Sequence, residues 1–179
     1  MKDKDVSKLL SLVLRHQPEA LGIVLDPEGW TDVTTLLGKM RARGMAVDLA
    51  LLKHVVATND KQRFAFNADY SRIRANQGHS VVVDLGLVAA EPPEFLYHGT
   101  AEASVAAILQ EGLRKQSRQH VHLSADVATA TRVGGRHGKP VVLRVKSGEM
   151  HRQGGPFYRS ENNVWLTDFV APEYLEIID

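Results

Sequence analysis

Two consecutive prolines, Pro92 and Pro93 in "AAEPPEF", limit this chain more than any other feature. Proline has no backbone N–H and a fixed φ, so the pair fits neither a helix interior nor a central strand. We read it as a boundary, with one domain over 1–91 and a second over 92–179. The sequence is 44% hydrophobic, enough to give packed cores, and its net charge is only +1. Any nucleic-acid site must then be a local patch of cations and not a global charge. Cysteine is absent, which excludes disulfides, thiolate metal sites and a cysteine nucleophile. No apolar stretch follows the charged start "MKDKD", so no signal peptide is expected. The longest apolar run, "VVVDLGLVAA", is broken by Asp84 and too short to span a bilayer. The expectation is a soluble cytoplasmic protein with no membrane contact.

The two sides of the boundary are patterned differently. Up to about residue 66 the apolar period is helical. Asp5 is expected to cap a first helix carrying Val6, Leu9, Leu10 and Val13, which Pro18 stops near Gln17. A second helix starts at Thr31 or Asp32, turns Val33, Leu36, Leu37 and Met40 inward and stops at Gly44. Asp48 caps a third. The period then falls to two: "RFAF" reads as a strand, "NADYS" as a turn, and "RIRANQ" as a return strand or basic loop. Three short helices and a hairpin are the order of a winged helix-turn-helix. Beyond the prolines the pattern is α+β: strand "FLYHGT", helix "EASVAAILQEGL", strand "HVHLS", helix "ADVATATRV", a Gly-rich loop, then strands "PVVLRV", "NVWLT" and "YLEII".

Four stretches can carry chemistry. In "LSLVLRHQP" an apolar helix ends in Arg15 and His16; on a helical wheel His16 lies beside Leu9 and Leu12, and Arg15 lies opposite Val6. In "KQRFAF" the two phenylalanines share a face and Arg63 projects from the other. In "SRQHVHLS" alternation turns Val121 and Leu123 inward and puts Arg118, His120, His122 and Ser124 on the opposite face. In "YHGT", Gly99 would let a ligand approach the main chain beside His98 and Thr100. A fifth stretch, "VGGRHGKP", fails as a Walker A loop. Its glycine spacing is short, and Pro140 stands where a magnesium-binding hydroxyl belongs. It still offers Arg136 to a phosphate. No third ligand sits at a convincing spacing from the His-x-His pair, so no metal is expected.

Together "LLSLVLRHQP", "GWTDV", "KQRFAF", "IRANQGHS", "FLYHGT", "HVHLS", "GKPVVLRV" and "NVWLTDFVAPEYL" resemble the RNA 2′-phosphotransferase (tRNA 2′-phosphotransferase) family, in the family's order and across nearly the whole chain. The resemblance implies an N-terminal winged-helix lobe followed by a lobe with the ADP-ribosyltransferase fold. It implies NAD⁺ as a consumed co-substrate and an RNA with an internal 2′-phosphate as substrate. Carried over motif by motif, it implies a catalytic set of Arg15, His16, Arg63 and Arg118. His98, Gly99, Thr100, His122 and Ser124 would then belong to the NAD⁺ pocket, with Arg136 as a pyrophosphate contact. Lys61, Arg72 and Arg74 are expected as outer RNA contacts. His120 is expected at the site rim; His54, His79, His137 and His151 are expected to be surface or structural, and Trp30 and Trp165 to be core. The late "NVWLT" stretch offers Val164 and Trp165 where protein-modifying relatives place a glutamate. Turnover is expected to need no metal and to be carried out by a monomer. Two other readings share these residues: an ADP-ribosyltransferase with a protein or terminal-phosphate acceptor, and a nucleotide-sensing winged-helix regulator.

Overall fold

In the computed structural model, which describes residues 2–136 and 138–178, Asp32 and Asp48 each end an extended stretch and start a helix. Asp32 accepts a hydrogen bond from the Thr35 N–H (2.7 Å) at the start of α2 (Val33–Ala42). Asp48 accepts from the Leu51 N–H (2.8 Å) at the start of α3 (Leu49–Thr58). Each satisfies a donor that has no partner within its helix. The first helix, α1 (Asp3–Arg15), begins differently. Lys2 is its N-cap and makes no side-chain capping bond. Asp5, expected as the cap, lies inside the first turn with Asp3, where a negative charge still suits the helix dipole. The helix ends at Arg15, with His16 as its C-cap, next to Gln17 as expected.

Val6, Leu10, Val13 and Leu14 of α1 are buried with Leu36, Met40, Leu52, Phe64 and Ile73 in one apolar core. A three-stranded antiparallel sheet joins the three helices. It has β1 (Thr31–Asp32), β2 (Phe64–Phe66) and β3 (Arg72–Ala75), in the order β1-β3-β2. "RIRA" is thus a strand, pairing Phe64 with Ala75 on one side and Ile73 with Thr31 on the other.

The chain divides into two units, Met1–Gly86 and Leu87–Asp179, so the division lies ahead of Pro92-Pro93. The reason is in the backbone. The Ala90 N–H donates to the Phe157 carbonyl (2.8 Å) and Ala89 bridges Tyr158, which ties the segment before the prolines to the second unit.

The second unit is built from β4 (Leu96–Ala101), α4 (Val105–Glu111), β5 (Leu113–Arg114), β6 (Val121–Leu123), α5 (Val127–Gly134), β7 (Pro140–Val145), α6 (Ser147–Arg152), β8 (Phe157–Arg159), β9 (Trp165–Thr167), β10 (Phe169–Val170) and β11 (Leu175–Ile178). Its sheets are antiparallel: β11-β7-β4, β6-β9-β8 and the pair β10-β5. Leu96, Leu123, Leu143, Val145, Phe157 and Trp165 form the core. The whole is α+β with small antiparallel sheets. Among the described residues no helix is long and apolar enough to cross a membrane.

Candidate functional site

In the first unit, three of the expected site residues are tied to one segment, residues 76–81, which leaves the end of β3. The Asn76 N–H donates to the Arg63 carbonyl (2.9 Å), and the Asn76 amide donates to the Gln62 carbonyl (2.6 Å). Asn59 Oδ1 in turn accepts from the Arg63 N–H (3.2 Å). Further along, the Ser80 and Val81 N–H groups both donate to the Arg15 carbonyl, at 2.9 and 3.3 Å. Ser80 Oγ and His16 Nδ1 are 2.9 Å apart. Helix α1 and the β2–β3 hairpin are therefore held in register by one strap. That strap is the "NQGHS" motif, whose part in positioning the site was not legible in the sequence.

The strap also changes the environment of Arg15. On the helical wheel Arg15 lies opposite the buried Val6, yet it is only 8% exposed. A Cβ built on Gly78 would sit 3.4 Å from both Nε and Cζ of Arg15, so the strap backbone lies against the guanidinium. Behind it His79 is fully buried, and neither ring nitrogen has a hydrogen-bond partner among the described residues. Burial, and the charges of Arg15, His16 and Arg74 around it, push the His79 pKa down to about 4. His79 is a neutral packing residue, inside and not at the surface.

The outer cations are partly committed within the unit. Arg74 lies over the Trp30 ring (4.5 Å from guanidinium carbon to centroid), with Arg72 at 5.6 Å. Arg72 also pairs with Asp26 (3.1 Å). Trp30 is half-buried beneath them, whereas Trp165 is buried in the second unit's core.

In the second unit, His98 and His122 meet where two sheets join. Tyr97 and Ser124 exchange backbone hydrogen bonds (2.9 and 2.7 Å), linking β4 to the end of β6. His98 Nδ1 lies 3.0 Å from the His122 carbonyl, so the ring donates there and its neutral form carries the proton on Nδ1. Burial lowers the His98 pKa, and the bond to the His122 carbonyl opposes this. Arg118 Nη1 donates to His122 Nδ1 (3.1 Å). Arg118 does this from a turn, because β6 spans only Val121–Leu123; the expected four-residue polar strand face is a turn followed by a short strand. His120 packs edge-on against the Tyr158 ring, with centroids 5.6 Å apart.

Gly99 is required to be glycine by packing. A Cβ there would strike the Ala130 carbonyl oxygen and stand 2.6 Å from its carbon and 2.8 Å from the Gly134 nitrogen. The residue is buried and lets α5 press onto β4. Thr100 follows on the same strand, partly exposed, and its backbone faces Gly134. Arg136 is exposed in the turn after α5; His137 lies outside the described residues. His54 is exposed and pairs with Asp3 (3.0 Å), and His151 is exposed on α6. Strand β9 carries Trp165, Leu166 and Thr167, with no acid among them. No group of three or more His, Cys, Asp or Glu side chains among the described residues is placed to hold a metal ion.

In each unit the candidate donors are guanidinium groups, imidazoles and hydroxyls, a set suited to phosphate oxygens and ribose hydroxyls. The model of the family described as "RNA 2′-phosphotransferase, Tpt1 / KptA family" matches residues 1–169. A "Probable RNA 2′-phosphotransferase" of Flavobacterium johnsoniae is 56% identical over 173 residues, covering 97% of this chain and 95% of that protein. One of the same description from Hahella chejuensis is 52% identical over 178 residues, 99% of this chain and 96% of that protein. Another from Agrobacterium fabrum is 56% identical over 171 residues, 96% and 92% of the two chains.

Proposed function

Because the chain belongs to the RNA 2′-phosphotransferase family, a family of enzymes, we propose that it removes an internal RNA 2′-phosphate by transferring it to NAD⁺. The N-terminal unit is read as a winged-helix lobe that holds the RNA phosphate. The β1-β3-β2 sheet beside three helices supports that reading. The C-terminal unit is read as an ADP-ribosyltransferase-fold lobe that holds NAD⁺. The observation that supports the proposal is the strap 76–81, which bonds to the Arg15 and Arg63 carbonyls and to the His16 ring.

In the first step a 2′-phosphate oxygen forms a bond to the anomeric carbon of the nicotinamide ribose. The bond from that carbon to the nicotinamide nitrogen breaks, and its electron pair leaves with neutral nicotinamide. The phosphate is already ionised, so no proton is removed. Arg15, Arg63 and Arg118 hold it through paired, charge-assisted hydrogen bonds. His98 and His122, with Thr100 and Ser124, serve the ribose and pyrophosphate, and Arg136 is an outer pyrophosphate contact. In the second step the ribose 2″-oxygen bonds to phosphorus as the bond to the RNA 2′-oxygen breaks. His16 gives its proton to the departing RNA oxygen, and the 2″-hydroxyl proton passes to water. The arginines stabilise the phosphorane charge. The products are nicotinamide, RNA with a 2′-hydroxyl and ADP-ribose 1″,2″-cyclic phosphate. The protein acts as a cytoplasmic monomer with no metal.

The test is incubation of the purified protein with NAD⁺ and a labelled oligonucleotide carrying one internal 2′-phosphate. Nicotinamide release with a 2′-hydroxyl RNA product is expected. An RNA that keeps its phosphate, or that ends as a stable ADP-ribose adduct, overturns the proposal.

A further inference from the structure

Resting on the acid role given to His16 above, we infer that Ser80 is a positioning residue that reserves His16 Nε2 as the proton-transferring atom. Ser80 Oγ and His16 Nδ1 are 2.9 Å apart, and the same serine is fixed by its own N–H to the Arg15 carbonyl (2.9 Å). The next residue repeats that anchor, with the Val81 N–H on the same carbonyl (3.3 Å). The hydroxyl is thus fixed relative to the helix end from which the imidazole projects, and the ring cannot rotate freely about its bonds to the backbone.

The choice of a hydroxyl has chemical content. Neutral His16 with a bare Nδ1 accepts from the Ser80 O–H, which leaves the proton on Nε2. Protonated His16 donates from Nδ1 to the Ser80 oxygen lone pair. Serine can do both because its hydroxyl is donor and acceptor at once. A carbonyl partner could only accept, and would fix the proton on Nδ1, as the His122 carbonyl does for His98. Through a full protonation cycle Nδ1 stays occupied by Ser80, and exchange is confined to Nε2. Of the neighbouring groups, Arg15 lies against Gly78 of the strap and can neither accept nor supply a proton, and His79 is buried and neutral.

The test has a spectroscopic and a kinetic arm. In ¹⁵N-histidine-labelled protein, with the His16 signals assigned by their loss in His16→Gln, neutral His16 should show a bare Nδ1 and a protonated Nε2. In Ser80→Ala both tautomers should exchange. The second step should slow about tenfold, the scale of one lost hydrogen bond, so the RNA-2′-phospho-ADP-ribose intermediate accumulates. Ser80→Thr keeps the hydroxyl and should restore both readouts. A mixed tautomer in the unmodified protein overturns the inference without any variant. So does a Ser80→Ala protein with unchanged tautomer and rate. If His16→Ala turns over at the wild-type rate, the acid role itself fails, whatever Ser80 does. If only His16→Ala slows the second step, the acid role stands and the Ser80 inference alone is lost.

Discussion

Gly78 lies flat against the guanidinium of Arg15, at a backbone φ of +87° that an L side chain rarely adopts. Two constraints coincide there: the left-handed backbone, and the 3.4 Å that would separate an added Cβ from both Nε and Cζ. Gly78→Ala should cost about 1–2 kcal/mol of stability from the backbone alone. It should also push Arg15 away from its position and cut turnover by at least tenfold. Urea unfolding and single-turnover assays on the same preparation separate the two effects. Full activity in Gly78→Ala would show that the Arg15 position does not depend on the strap.

His79 predicts a pH dependence of stability. Its ring is neutral when folded, and its pKa is pushed down to about 4 from an ordinary 6.5. Between those values the unfolded chain binds a proton that the folded chain refuses. Falling pH therefore favours unfolding across that window, and the stability is complete above it. The loss on going from pH 6.5 to pH 4 approaches about 3 kcal/mol. His98, also lowered by burial, adds in the same direction. Urea midpoints across this range should flatten in His79→Leu relative to wild type. Parallel curves for the two proteins would remove His79 as the cause.

Arg118 should be sensitive to shape as well as charge. Its Nη1 donates to His122 Nδ1, and the guanidinium is a planar fork of donors matched to phosphate oxygens. Lysine keeps the charge but not the fork. Arg118→Lys should lose nearly as much activity as Arg118→Ala, about a hundredfold or more, with an unchanged melting temperature. Near-wild-type turnover by the lysine variant would remove Arg118 from the catalytic set.

Gly99→Ala should fail structurally before it fails chemically. Its Cβ would press into the Ala130 carbonyl, so α5 has to move. We expect destabilisation of about 3 kcal/mol, with the loss confined to unfolding of the second unit. Hydrogen exchange measured on α5 and β4 checks this. Unchanged protection there would mean that the helix does not pack as described.

The sequence made α2 and α3 readable because Asp32 and Asp48 are true caps followed at once by apolar residues on one face. It misplaced the start of α1 because Asp3 and Asp5 both fit a first turn, and only the fold selects Lys2 as the cap residue. Strands of two or three residues, β1, β5, β8 and β10, leave no periodicity to read; their pairing is set by neighbours distant in sequence. For the site, residue types were legible but their neighbours were not. The wheel gave Arg15 only a position opposite Val6, because it contains no strap to bury the guanidinium. For Gly99 the sequence showed a missing side chain but not the Ala130 carbonyl that requires it to be missing. The one available clue to the strap was Gly78 between polar residues and a histidine, a spacing that suits a positive φ but does not say what lies against it.

The hairpin has a consequence for insertions and deletions. Asn76 begins the strap one residue after β3, and β3 is fixed on both sides by Phe64–Ala75 and Thr31–Ile73 pairing. The strand thus acts as a ruler whose zero is set by two neighbours. Residues 68–70 can lengthen without moving that zero, because the bonds from Asn67 to Arg72 and from the Val33 N–H to the Ser71 carbonyl close the hairpin on either side of them. One extra residue between 72 and 80 cannot be absorbed. Inside the strand it reverses every side chain; beyond it, Ser80 and Gly78 are carried out of step with Arg15 and His16. The tip of this hairpin is where the protein has room for a tag or a fluorophore, and the nine positions 72–80 are where its chain length is fixed by its bonding.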